Sequence, residues 1–166
     1  MKGKGLGFAA LVLAHITVDA YSGIIGAYGP LRGLDPATLG TLATTYVTFA
    51  ALGQVAFGLW GDRLGWRPCY LFGVFASAVF SALAISPWAP LWAVFVFFCI
   101  AGLGNAAFHP TAVSAAGALD PRRSTILVSV LLGGGTLGLS FSQPVLTRFW
   151  TAYQDSPWMY AVPGLA

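Results

Sequence analysis

The chain has 166 residues, of which 57% are hydrophobic and only 8% charged, with a net charge of +3. A soluble domain carries roughly a quarter charged residues, so this composition excludes a water-exposed globule and makes the lipid bilayer the first expected partner. The eight Lys and Arg residues are scattered and form no contiguous basic face, which excludes nucleic acid as a partner.

A spanning helix needs about 20 mostly apolar residues, and the runs of that length follow one another closely. The first span is expected over 6–28, closed by Gly29-Pro30, and the second over 38–60. The third covers 69–85, the fourth 91–118 and the fifth 125–149. A sixth opens at Trp158 and has only the stub 158–166 in this sequence, about 14 Å of helix against a hydrocarbon core of about 30 Å. The expected fold is an all-α membrane protein, one helical domain over 1–166 with five full spans and a truncated sixth.

Charge orients these spans. Lys2, Lys4, Arg63, Arg67, Arg122 and Arg123 fall in segments on one side, and only Arg32 and Arg148 on the other. The positive-inside rule then predicts a multi-pass protein of the inner (plasma) membrane with a cytoplasmic N-terminus. A signal peptide is the competing reading of the N-terminus, with Lys2 and Lys4 ahead of a short apolar run over 8–14. The apolar pattern continues through Gly23–Ala27, which favours a span.

Asp19 is the one acid expected inside a span; Asp35, Asp62, Asp120 and Asp155 are expected in loops. A carboxylate at membrane depth is costly and marks a polar cavity by default. His15 lies four residues earlier, on the same helical face. The pair can share or relay a proton, or serve only as a buried hydrogen bond that locks the helix. The second histidine, His109, precedes Pro110 in "GLGNAAFHPTAV", with Asn105 one turn before it. A proline there is expected to bend the fourth span, and bent membrane helices are tolerated where they line cavities. His109, Asn105 and Gln54 are therefore candidates for a substrate path. Pro144 suggests a similar bend in the fifth span.

Other patterns carry less. Gly133, Gly135 and Gly138 match a dinucleotide-binding spacing, but the match lies within a span and lacks the strand such a site requires. Small residues there favour close helix contact. Cys69 and Cys99 lie in apolar runs without CxxC spacing. No Cys and His group has zinc-ligand spacing, so neither metal nor cofactor is expected, and nothing is placed as in a hydrolase.

"GLWGDRLGWR", Gly58–Arg67, gathers Asp62, Arg63 and Arg67 after the second span. It resembles the signature loop of the major facilitator superfamily, through Gly58, Asp62, Arg63, Gly65 and Arg67, with Trp66 where a basic residue is usual. "AHITVDAYSG" and "GLGNAAFHPTAVSAAG" resemble the fosmidomycin-resistance branch, with its His-x-x-x-Asp and Phe-His-Pro; Thr111 stands where that branch often has glutamate. The resemblance implies the N-terminal half of a twelve-span transporter, non-enzymatic, exporting or exchanging a small molecule such as a drug or antibiotic against protons. It implies Asp19 with His15 for proton coupling, and a conformational latch at Asp62, Arg63 and Arg67. Those arginines alone would also suffice as a topological anchor. A half-unit needs either a second half-transporter chain or a homodimer to complete it, unless the chain is a truncated, non-transporting membrane protein or an interaction subunit.

Overall fold

A computed structural model describes residues 2–154, and within them the chain is almost wholly helical. The helices are α1 (Lys2–Gly23), α2 (Ile25–Leu31), α3 (Pro36–Leu64), α4 (Trp66–Ala84), α5 (Leu91–Leu119) and α6 (Ser124–Tyr153), with a 3-10 turn at Pro121–Arg123. Five segments are long and apolar enough to cross a membrane: Gly5–Leu31, Pro36–Arg63, Trp66–Ala84, Leu91–Leu119 and Pro121–Tyr153. The five expected spans are these five. The expected stub 158–166 and the segment around Asp155 lie outside the described residues.

Helix ends depart from expectation for identifiable reasons. Helix α2 runs through Pro30 and stops after Leu31. Gly33 ends it, with φ of +69°, its amide donating to the Pro30 carbonyl and the Leu34 amide to that of Gly29. This paired closure depends on a left-handed residue that glycine adopts without strain. Helix α3 starts at Pro36 because the Asp35 carboxylate accepts from the amides of Ala37 and Thr38, each at 3.0 Å. The Thr38 hydroxyl and these amides hold the exposed Asp35 carboxyl below the usual carboxylate range. The cap is therefore intact above that range and is lost as pH falls through the lowered value.

The largest difference concerns "GLWGDRLGWR". Asp62 and Arg63 belong to the last turn of α3, and Trp66 and Arg67 to the first turn of α4. Only Gly65, with φ of +84°, separates the two helices. The stretch is a one-residue corner rather than a loop. Helices α5 and α6 also continue through Pro110 and Pro144. The interruption in the first span instead follows Gly23.

Helix α5 is the centre of the bundle and touches α1, α3, α4 and α6. Glycines set how closely it packs. A Cβ on Gly104 would stand 2.5 Å from the Ser77 backbone nitrogen of α4, and one on Gly73 would stand 2.6 Å from that of Phe108. Helix α6 meets α1 in the same way, since a Cβ on Gly138 would collide with the Ile16 carbonyl. In a bilayer, where burying apolar surface drives little, such close approach supplies the packing. Tyr28, Phe98 and Trp150 form one buried aromatic cluster, with ring centroids 5.9 and 6.0 Å from Tyr28. Phe108, Val18 and Leu131 anchor a second. Arg32 donates to the carbonyls of Ser86 and Ala89 at 3.3 and 2.7 Å, and so ties the α4–α5 connection to the end of α2.

Gly104→Ala should destabilise the bundle by about 1–3 kcal/mol, as an added methyl does in a packed core. Gly133→Ala, which meets nothing within 4 Å, is the control and should leave stability unchanged or slightly raised. Thermal unfolding in one detergent compares the two.

Candidate functional site

The site begins with the α-helical repeat. Residues four apart share a face, and the His15 Nε2 of α1 lies 3.2 Å from an oxygen of the Asp19 carboxylate. The close α4–α5 and α5–α1 packing then brings in a third group. His109 of α5 places its Nε2 3.2 Å from the other Asp19 oxygen and 3.3 Å from the His15 Nε2. Three groups separated by as many as 94 residues meet at one point. The His15 ring is held against Phe108, with centroids 5.4 Å apart. Gly135 of α6 closes the remaining side: a Cβ there would collide with the Asp19 carboxylate and stand 2.6 Å from the His15 Nε2.

Burial is graded across the triad. His15 is 2% exposed, Asp19 16% and His109 26%. The cluster is therefore sealed at His15 and open at His109.

The hydrogen count of the triad can be worked out. His109 Nδ1 lies 3.0 Å from the Asn105 carbonyl. A carbonyl oxygen only accepts, so Nδ1 carries the hydrogen and the Nε2 of neutral His109 is a bare lone pair. That lone pair faces an Asp19 oxygen. A neutral His15 can donate its Nε2 hydrogen to the other oxygen, which leaves its buried Nδ1 without a partner. With both histidines neutral and Asp19 ionised, the His109–Asp19 contact has no hydrogen in it and the cluster carries a net negative charge. One added cation supplies what is missing. No proton need be assigned to a single residue, because such groups share theirs.

Two of the expected path residues, Asn105 and His109, stand together on α5. Asn105 is 9% exposed, and its carbonyl orients His109. Gln54 is exposed on α3 and is not brought to the triad. Tyr46, not anticipated, is a buried residue that faces Ser22 and Asn105. It lines a cavity of about 560 Å³ together with Ser22, Gly26 and Gly40. The signal available in the sequence was a phenol following two threonines in an apolar run.

Asp62 lines a smaller cavity of about 370 Å³ with Trp66, Pro110, Thr111 and Ser114, between the α3–α4 corner and α5. Among the described residues Asp62 makes no ion pair. Arg67 lies over the Trp66 ring, 5.7 Å from its centroid. Thr111 spends its hydroxyl on the carbonyls of Ala107 and Phe108.

Five apolar spans around a titratable cluster define a multi-pass membrane protein. The sequence profile of the Major Facilitator Superfamily matches residues 7–166, and the chain belongs to that family of membrane transporters. It is similar to a gentisate transporter of Corynebacterium glutamicum, at 28% identity over 153 residues. That alignment takes in 86% of this chain and 33% of the relative, so the chain spans about a third of the length of the curated relative it matches.

Proposed function

We propose that this chain is the N-terminal half of a proton-coupled transporter that exports or exchanges a small molecule across the inner (plasma) membrane. The observation that carries the reading is the hydrogen deficit of the His15–Asp19–His109 triad. One proton puts a hydrogen in both histidine–carboxylate contacts and neutralises the cluster within the span, where net charge is costly. Loss of that proton leaves two acceptors facing each other and a net charge. The site's energy therefore depends on its proton, and a transporter that opens alternately to two sides can use that dependence to couple proton and substrate movement.

Asp19 and His15 carry the coupling, and His109 joins them as the open-side member. Tyr46 and Asn105 line the route along which a substrate approaches. The family resemblance suggests a drug or antibiotic as substrate, and the similarity to a gentisate transporter makes gentisate the other compound to assay. A complete transport unit pairs this half with a second half as its partner. Long apolar side chains on α3 and α6, among them Leu52, Val55, Ile126 and Phe141, are exposed on the bundle and would meet lipid or that partner. Asp62, Arg63 and Arg67 act as the latch: a charge cluster at a one-residue corner beside α5 biases which side is open.

The orientation predicts that, in a background with Cys69 and Cys99 replaced by serine, Gln154→Cys is labelled from outside intact cells and Gly65→Cys is not. The reverse pattern would overturn the cytoplasmic N-terminus. For the latch, Asp62→Asn should move the accessibility of a cysteine reporter toward the inward-facing state at unchanged expression. Unchanged accessibility would make the corner a topological anchor only. Proton coupling is tested in reconstituted vesicles that hold the complete transporter. There Asp19→Asn should abolish pH-gradient-driven accumulation while exchange of substrate down its own gradient survives. Full gradient-driven transport by Asp19→Asn would leave the triad a structural lock.

A further inference from the structure

We propose that the His15–Asp19–His109 triad is a binding site for one divalent transition-metal cation of the zinc class. Two nitrogens and a carboxylate are a common donor set for such ions. Their spacing is the argument. Ligands bound at 2.0–2.1 Å to a tetrahedral ion stand about 3.3 Å from one another. In the triad the two Nε2 atoms are 3.3 Å apart, and the Asp19 oxygens lie 3.2 Å from one nitrogen each, Oδ2 from His15 and Oδ1 from His109. One donor atom from each residue lies within 4.8 Å of the others, so a turn of the carboxylate brings one oxygen and both nitrogens onto a single ion.

The surroundings agree. The Asn105 carbonyl fixes His109 with its hydrogen on Nδ1, which leaves Nε2 free to ligate and supplies the outer hydrogen bond that metal-bound histidines almost always have. His109 and Asp19 are partly exposed, which gives an entry route and room for a water as fourth ligand. The ion would also reverse the negative charge of the cluster. His15 is the weakest ligand, because ligation through Nε2 moves its hydrogen to Nδ1, where nothing accepts it. The site follows from donor geometry alone and holds whether or not transport is coupled to protons.

The experiment is titration of the purified chain, in detergent and with Cys69 and Cys99 replaced by serine, with cobalt(II). The visible absorption of the ion reports its coordination, and zinc displaces it. The expected result is one cobalt per chain with the intense bands of a four- or five-coordinate site. Asp19→Asn and His109→Ala should each weaken binding at least tenfold, since even an outer-sphere partner of a ligand is worth 10–100-fold. His15→Ala should weaken it by a smaller factor. Gly135→Ala, which puts a methyl group against the ligand atoms, should also lose binding while all three donors remain. Circular dichroism and the elution profile identify any variant that has misfolded, and His109→Gln replaces His109→Ala if that one has. Absence of cobalt binding in the parent chain, octahedral spectra only, or equal binding by folded Asp19→Asn and His109 variants would each overturn the proposal.

Discussion

The structure turns on a shortage of hydrogens. Three groups that readily accept hydrogen bonds meet within 3.3 Å inside a membrane span, and neutral histidines cannot supply a hydrogen to every contact. In water such a shortage would be filled by solvent. Inside a bundle each unfilled contact persists as a cost. Whatever occupies the centre, the surrounding helices must hold the bare His109 nitrogen against the carboxylate, and the architecture can be understood from that requirement.

Close packing meets it. His109 reaches α1 only because α5 sits against its neighbours at glycine-limited distance, with Gly73 and Gly104 pressed on backbone rather than on side chains. Gly135 lets α6 close over the carboxylate, and Gly138 lets it run against Ile16. Of the glycines that resemble a nucleotide-binding pattern in the sequence, Gly135 is thus the α6 wall of the titratable site, while Gly138 meets α1 backbone and Gly133 meets nothing. Phe108 serves the same end from α5, since it holds the His15 ring while its sequence neighbour His109 points at Asp19.

Much of this was legible from the residues. Run length located all five spans, because an uninterrupted apolar segment has few alternatives to a membrane helix. The His15–Asp19 pair was legible because helical spacing is local. The meeting with His109 was not, because it depends on which faces of α1 and α5 pack together, and a uniformly apolar helix such as α5 does not declare its faces. The reading of the Gly58–Arg67 stretch as a loop gave weight to its charges, whereas α3 has room to finish its last turn and only Gly65 leaves helical geometry. Pro30 seemed a helix end for a similar reason. The helix goes on through it and ends only at the closure in which Gly33 and Leu34 donate to the carbonyls of Pro30 and Gly29, a detail of backbone geometry that composition does not encode.

The two ends of the bundle differ mechanically. At one end the Arg32 side chain grips Tyr28 and two carbonyls of the α4–α5 connection, so that two segments are braced by a group that can be displaced only by breaking several bonds together. At the other end α3 and α4 are joined through a single glycine, a torsional joint with no side chain to resist rotation. The brace and the joint thus lie at opposite ends of α4: one fixes its C-terminal connection to α2, the other leaves α3 and α4 joined through a single residue.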